Sequence, residues 1–440
     1  MLSGQAAGIV LEGGASAASR ALQLFGAESG AWPERLADEL AQRCESEILA
    51  HWYLGLARLH AHAALEYQIV DGIVMVPHKA SWQFPVAQLV DDSVVSLSRF
   101  SHLRIAGGTL VLESPVGAAS LMLEPGAAVT ALLARLATPV RAADCASQHG
   151  AVARELLDAL HAAGLIAVHA DGVSSDDTGP LVHWSFGDAI IHAATRLGGH
   201  PARIGRKDGS VPSSPVHEFA MATYITLPPV ELTAAAARAP RLDDALSDRR
   251  SRRDYSPRVL HVRALGELLA RSCRETQHED AEGGGIFRLY PSGGACHPLD
   301  VWVAISRCDG LGPGLYRYDR SGHALGFVTA SADDAQQLVR AARRAAARDD
   351  DGHALLLFAA DFAKTSARYH GIAYALMLKE VGAAMQTVHI VGEAIGLAVC
   401  PIGSGDSAQF ARAVGGSFFG YSSVGEMLVG ASLTSYWDVE

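Results

Sequence analysis

The 440-residue sequence predicts an α+β protein, with winged-helix-like modules in its N-terminal half and a C-terminal domain in which helices flank a mixed sheet. Three observations predict this class. Twice before residue 180, helical periodicity sits beside short apolar runs that turn at Asp-Gly or Gly-Gly. Residues 198–240 are broken by Pro and Gly without periodicity, and after residue 245 helices and strands recur in a mixed order. Length alone, at roughly 150 residues per domain, points to two or three domains.

Met1–Gly30 is rich in Ala, Gly and Ser and is expected as a flexible N-terminus. It lacks the cationic start and apolar core of a signal peptide. Residues 31–90 form the first expected module. Within it, Leu36, Leu40, Ile48, Leu49, Trp52, Leu56 and Leu59 carry helical spacing, and Leu65–Val76 makes a hairpin around Asp71-Gly72. Residues 91–180 form the second. Leu103–Ile105 and Thr109–Glu113 flank Gly107-Gly108, Ala118–Leu123 is a further strand, and helical periods run through Ala128–Leu136 and Val152–Leu160. Gly164 is placed as the C-cap before a strand at Leu165–His169. One irregular α+β domain is the alternative to two modules. Residues 181–244 are expected as a linker that opens with a helix at Trp184–Leu197.

The domain at 245–440 begins in a charged helix, Arg241–Arg253, followed by an Ala/Leu helix at Val262–Cys273. A polar loop (Glu275–Gly285) precedes strands at Ile286–Tyr290, Val301–Ser306 and Leu315–Tyr318. A helix at Ala332–Ala347, a strand at Ala354–Ala360, a long helix near Ile372–Ile395 and strands at Ala398–Ile402 and Met427–Ser432 complete it.

Composition narrows the function. With 47 Asp+Glu against 36 Lys+Arg the chain is acidic, which argues against a general nucleic-acid role. The six cysteines show no CxxC pairs, so neither a disulfide framework nor a metal site is expected. No run approaches the roughly 20 apolar residues of a membrane helix, and a cytoplasmic protein is expected.

Three segments could carry chemistry. Arg249-Arg250-Ser251-Arg252-Arg253 gathers four guanidiniums and a hydroxyl, suited to a monophosphate or else a solvated basic face paired with the preceding aspartates. Pro291-Ser292-Gly293-Gly294 brings bare backbone close to a flat or anionic group, unless it is an ordinary turn. The small residues of the long helix permit close packing to a ring or a second helix. That helix runs into Pro401-Ile402-Gly403, which can aim backbone N–H groups outward. Gly310-Leu-Gly-Pro-Gly314 joins two strands and so is not a dinucleotide fingerprint.

Taken in order, RRSRRDY (249–255), FRLYPSGGACHPLDVWV (287–303), GLGPGLYRYD (310–319), the 368–406 run and SVGEMLVG (423–430) resemble the FMN-binding nitroreductase superfamily. Within it they resemble the SagB-type peptide azoline dehydrogenases. The resemblance covers nearly all of residues 245–440, and the N-terminal modules resemble the precursor-peptide recognition elements of such pathways.

This resemblance implies an FMN whose phosphate and ribityl chain are held by Arg249, Arg250, Ser251 and Arg253. Pro291, Ser292, Gly293 and Gly294 would border the flavin, Gln386 would be a further contact, and the segment Pro401, Ile402 and Gly403 would bring the N–H groups of its last two residues near N5 and O4. Arg368 and Tyr369 stand where family members carry a Lys-Tyr pair. Tyr369 would relay the ring proton, since a neighbouring cation lowers a phenol pKa from about 10. Arg368 stays charged and is a poor proton acceptor, so the change from Lys leaves open whether residue 368 transfers a proton or acts by electrostatics alone. A surface ion pair with an aromatic helix cap is the other reading of these two residues. The implied partners are a precursor peptide, a cyclodehydratase and a second copy of the chain, with no nucleic acid or membrane. The alternatives are a small-molecule reductase using NAD(P)H and a non-catalytic peptide-presenting scaffold. A winged-helix DNA regulator is discounted because no recognition helix carries an Arg/Lys row.

Overall fold

The computed structural model describes residues 67–70, 73–78, 89–124, 127–196, 205–207, 219, 221–277, 286–328 and 332–433. The expectations for Met1–Gly30, the helical stretch 33–64 and most of the 275–285 loop lie outside the described residues. The chain divides into two compact units, Met1–Ile204 and Gly205–Glu440.

In the first unit, both expected hairpins form: Tyr67–Val70 with Ile73–Pro77, and His102–Ala106 with Thr109–Glu113. The second turns at Gly107 and Gly108, both with positive φ. The two hairpins share one five-stranded antiparallel sheet, because Ala119–Leu123 pairs with Ile73–Pro77 on one side and Thr109–Glu113 on the other. The Ala151–Ala163 helix contributes Leu156, Leu157 and Leu160 to the same core as Tyr67, Met75 and Leu121. It ends at Gly164 in the left-handed conformation expected of its C-cap. Ile166–Ala170 then joins a second sheet through Val94–Leu97, a strand of four residues too short to announce itself by alternation.

The second unit is built on a seven-stranded sheet. Its order is Met221–Thr226, Ala324–Val328, Gly314–Asp319, Leu299–Ile305, Ala354–Asp361, Tyr421–Ala431, Leu397–Ile402, and every neighbouring pair is antiparallel. Parallel pairing among the described residues is confined to Leu260–His261 with Cys308–Asp309. All eight residues of Ala354–Asp361 are buried, which explains the unbroken apolar reading of that strand. Helices Val262–Cys273 and Ala373–Ala394 share a core with one face of the sheet, and Ala332–Ala345 and Ser407–Ala413 with the other. This three-layer packing buries a face of each flanking helix and nearly all of Val262–Cys273.

Part of the stretch expected as linker is ordered into the second unit: Met221–Thr226 is an edge strand of the sheet, and Leu232–Arg238 is a helix. The strand is mostly exposed, so no apolar alternation marks it in the sequence. No helix among the described residues is long and apolar enough to cross a membrane.

Candidate functional site

The expected helix at 241–253 stops early. Leu242–Asp248 is helical, but Arg249 leaves the helix at φ −54, ψ 122 and the arginine run continues without helical structure. Two backbone bonds tie the run to the sheet: Arg252 N donates to Val399 O at 3.0 Å, and Ser256 N to Ala431 O at 2.9 Å. Those bonds outweigh the helix that the local composition favours. The four guanidiniums are therefore spread along a strip instead of being gathered in one turn.

They also differ in employment. Arg252 forks onto the Glu393 carboxylate at 3.1 and 2.5 Å and is occupied. Arg250 is exposed and bends back to the Ser247 carbonyl at 3.2 Å. Arg253 lies beside the Cys400 thiol; burial pushes that thiol up, and the Arg253 and Arg343 charges draw it partly back. Arg249 and Arg253 form no ion pair among the described residues. His389 donates from Nε2 to the Arg250 carbonyl at 2.9 Å. Burial, reinforced by the Arg249 and Arg252 charges, holds the His389 imidazole below its usual value.

The second group forms around Gly294. Pro291–Gly294 turns after Tyr290, and Gly294 has φ 60, ψ 26. A Cβ at this position would stand 2.2 Å from the Tyr369 hydroxyl, so the tyrosine occupies the space that glycine leaves. The Arg368 guanidinium donates to the Gly294 carbonyl. The structure thus brings Arg368, Tyr369 and the Pro291–Gly294 turn together, though they are 74 residues apart in sequence. Tyr369–His370 pairs with Gly205–Arg206, and Lys207 N donates to the Arg368 carbonyl at 2.8 Å. Lys207 is a neighbour that sequence reasoning missed, because only the fold brings it there.

Pro401 and Ile402 end the Leu397–Ile402 strand, and Gly403 follows, exposed, with no heavy atom within 4 Å of where a Cβ would stand. Behind this loop lies Glu426, 4 % exposed, accepting from the Ser423 hydroxyl at 2.6 Å. A Cβ on Gly405 would meet both carboxylate oxygens within 2.0 Å. Gln386 is exposed on the Ala373–Ala394 helix, one turn beyond Gly382, which also faces open space.

This helix connects the two groups. Leu376 and Glu380 touch the Gly293 and Ser292 turn, while His389 and Glu393 touch Arg250 and Arg252. The thirteen-residue step from Leu376 to His389 is about 20 Å at ~1.5 Å per residue. Within one chain the arginine strip and the Gly294 group therefore stand at separate ends of one helix.

The motifs, their sheet and the connecting helix occupy one continuous stretch. Residues 246–430 match the Nitroreductase family model. A nitroreductase-type oxidoreductase domain thus makes up residues 246–430 of the second unit, and the fold class is α+β with a C-terminal nitroreductase-like domain. Residues 95–201 match the model of the cyanobactin oxidase ThcOx. A nitroreductase-type protein of Methanocaldococcus jannaschii is 27% identical over 172 residues, 37% of this chain and 79% of the relative. Among solved structures, a nitroreductase-type protein of Ralstonia eutropha JMP134 is similar at 21% identity, covering 53% of this chain and 99% of that one, with a TM-score of 0.38. The E. coli microcin synthetase McbBCD complex with truncated pro-MccB17 bound is similar at 17% identity, covering 51% and 84%, with a TM-score of 0.35.

Proposed function

We propose that this protein is an FMN-dependent dehydrogenase that oxidises thiazoline or oxazoline rings of a ribosomally made peptide to the aromatic azoles. The observation that carries the reading is the convergence of Arg368 and Tyr369 on Gly294. It sets a phenol and a fixed cation against one glycine turn. The match of residues 95–201 to a cyanobactin oxidase model supports a peptide as the substrate.

The residues present fit a phosphate-bearing flavin. Arg249 and Arg253 are cations without an ion pair among the described residues, and Gly403 leaves open space beside the end of the Leu397–Ile402 strand. When bound, FMN supplies two-electron chemistry, taking hydride from the azoline ring and passing the electrons to dioxygen. Arg249, Arg250, Ser251 and Arg253 hold its phosphate and ribityl chain, and Pro291–Gly294 and Gln386 border the ring. The Ile402 and Gly403 amides offer donors at its edge. Tyr369 relays the proton that leaves the azoline carbon, its Oη handing its own proton to solvent as it takes that one, so the ring loses one hydrogen as hydride and one as proton. Arg368 stays charged and fixes the potential at that oxygen.

Because the arginine strip and the Gly294 group lie at separate ends of the long helix, a second copy of the chain completes each site. A cyclodehydratase that makes the azoline is the expected upstream partner. The test is to purify the protein, reconstitute with FMN, and add an azoline peptide under air. Loss of two hydrogens from the peptide supports the reading, and Tyr369→Phe should keep the flavin and lower turnover. Failure to retain FMN would overturn it. Retained FMN that is bleached by NAD(P)H alone and is inert to azoline peptides would favour a small-molecule reductase.

A further inference from the structure

One residue of the long helix holds the turn at the centre of this site, and no motif pointed to it. Glu380 is 4 % exposed and lies under Pro291–Gly294. Its Oε2 accepts from the Ser292 hydroxyl at 2.6 Å, and the same Ser292 oxygen accepts from His297 N at 2.9 Å. One helical turn earlier, Leu376 packs against Gly293, where a Cβ would come within 3.2–3.3 Å of its side chain. Residues four apart share a helix face, so Leu376 and Glu380 form one ridge on which the turn is laid.

A carboxyl group is a costly choice for this ridge. Glu380 forms no ion pair among the described residues, and its Oε1 is buried without a hydrogen-bond partner. Burial pushes its carboxyl up, while the Ser292 hydroxyl, the Arg320 and Arg288 charges and the Gly293 amide draw it partly back. A buried polar group of this kind is stabilising only where its hydrogen bonds hold something in place; a leucine would fill the same space without the desolvation penalty. What it holds is Ser292 and Gly293, and the next residue is Gly294, against which both Arg368 and Tyr369 rest.

We propose that Glu380 is a positioning residue that fixes the Ser292–Gly294 turn from behind, and through Gly294 sets where the Arg368 guanidinium and the Tyr369 hydroxyl stand. The flavin part of this inference rests on the function proposed above; the positioning part rests on the hydrogen bonds alone.

The test compares Glu380→Gln, which keeps the acceptor without a titratable charge, with Glu380→Ala and Ser292→Ala, in the full chain. Hydrogen exchange of the 292–297 amides reads the turn in the flavin-free protein. FMN dissociation constant and flavin midpoint potential read the site when loaded. Glu380→Ala should raise exchange of the 292–297 amides at least tenfold while amides of the Ala354–Asp361 strand keep their protection. It should weaken FMN at least tenfold and shift the midpoint potential, whereas Glu380→Gln restores all three readings to within about threefold or close to the wild-type potential. Ser292→Ala should reproduce the effect and add nothing in the Glu380→Ala background. Unchanged 292–297 exchange in Glu380→Ala, or a Glu380→Gln variant as impaired as alanine, overturns the proposal. If wild type binds no FMN yet the exchange result holds, the proposed function fails and the positioning role stands.

Discussion

Gly294→Ala tests whether Tyr369 is placed by the space that glycine leaves. At φ 60 an alanine is in left-handed backbone, which costs roughly 1–2 kcal/mol. Its Cβ would also stand 2.2 Å from the Tyr369 oxygen and 3.1 and 3.2 Å from two ring carbons, so the phenol must move by about 1 Å to reach ordinary contact. For a unit of this size each kcal/mol lowers Tm by about 2–4 °C, so a fall of about 2–8 °C is expected. Displacing a reacting group by that much can lower turnover on the order of 100-fold. The assay is a thermal melt beside azoline oxidation, with each substitution also made in a Tyr369→Phe background. Removing the hydroxyl removes the closest contact, so Gly294→Ala should lower turnover by no more than about threefold there, the two effects being coupled as for touching residues. A Gly294→Ala protein that melts lower but turns over normally would refute the placement of Tyr369 in the reaction. Equal loss in both backgrounds would refute the contact as its cause.

Two further outcomes follow from the charges. Arg252→Ala breaks a half-exposed fork onto Glu393 and should cost about 0.5–1 kcal/mol in urea unfolding while leaving FMN affinity within about twofold; Arg253→Ala should weaken FMN by about tenfold with little effect on stability. The second concerns Glu426. Burial pushes its carboxyl up, the Ser423 hydroxyl draws it partly back, and Asp406 pushes it up again. A folded-state value above the unfolded one favours the protonated form in the fold, so its stabilising contribution is full below the ordinary carboxylate range and is lost as pH rises through the raised value. Glu426→Gln should therefore gain stability over wild type at about pH 8 relative to about pH 4, by chemical denaturation. An equal difference at both values would show that Glu426 titrates normally.

The long elements were legible in the sequence because their burial is periodic or continuous. Val262–Cys273 is buried along most of its length, and Ala354–Asp361 is buried on both faces, and both lie where the residue pattern puts them. Met221–Thr226 was not legible, since an exposed edge strand owes its conformation to the backbone of Ala324–Val328 and not to its own side chains. Arg249–Arg253 shows the same limit: local composition favours a helix, and backbone bonds to the sheet from Arg252 and, just beyond the run, Ser256 decide otherwise. At the site, the glycine turns and the Arg-Tyr pair could be named from their types. Glu380 and Glu426 could not, because a glutamate in a helix or strand reads as surface until the fold shows what covers it.

The separation of the two groups along one helix leads to a last prediction. Tyr374 and Leu378 are exposed one turn apart on that helix, with Gly382 in open space and Gln386 exposed beyond them. A row of small and apolar residues on an exposed helix face suits a second helix laid against it. If a second copy covers this row, it brings its own arginine strip to the first copy's Gly294 turn, and flavin is retained only by the dimer. Leu378→Glu places a charge in that contact, where an unpaired buried carboxylate is expensive. Sedimentation of the flavin-loaded protein should then show a dimer for wild type and a monomer for Leu378→Glu, and the variant should lose FMN on dilution at least tenfold more readily. Leu378 is itself more than one-third exposed in the single chain, so the substitution leaves the fold of the monomer intact and the melting temperature of the flavin-free protein nearly unchanged. A monomeric variant that keeps FMN as tightly as wild type would show that one chain holds the flavin by itself, and would require the arginine strip and the Gly294 turn to serve different ligands.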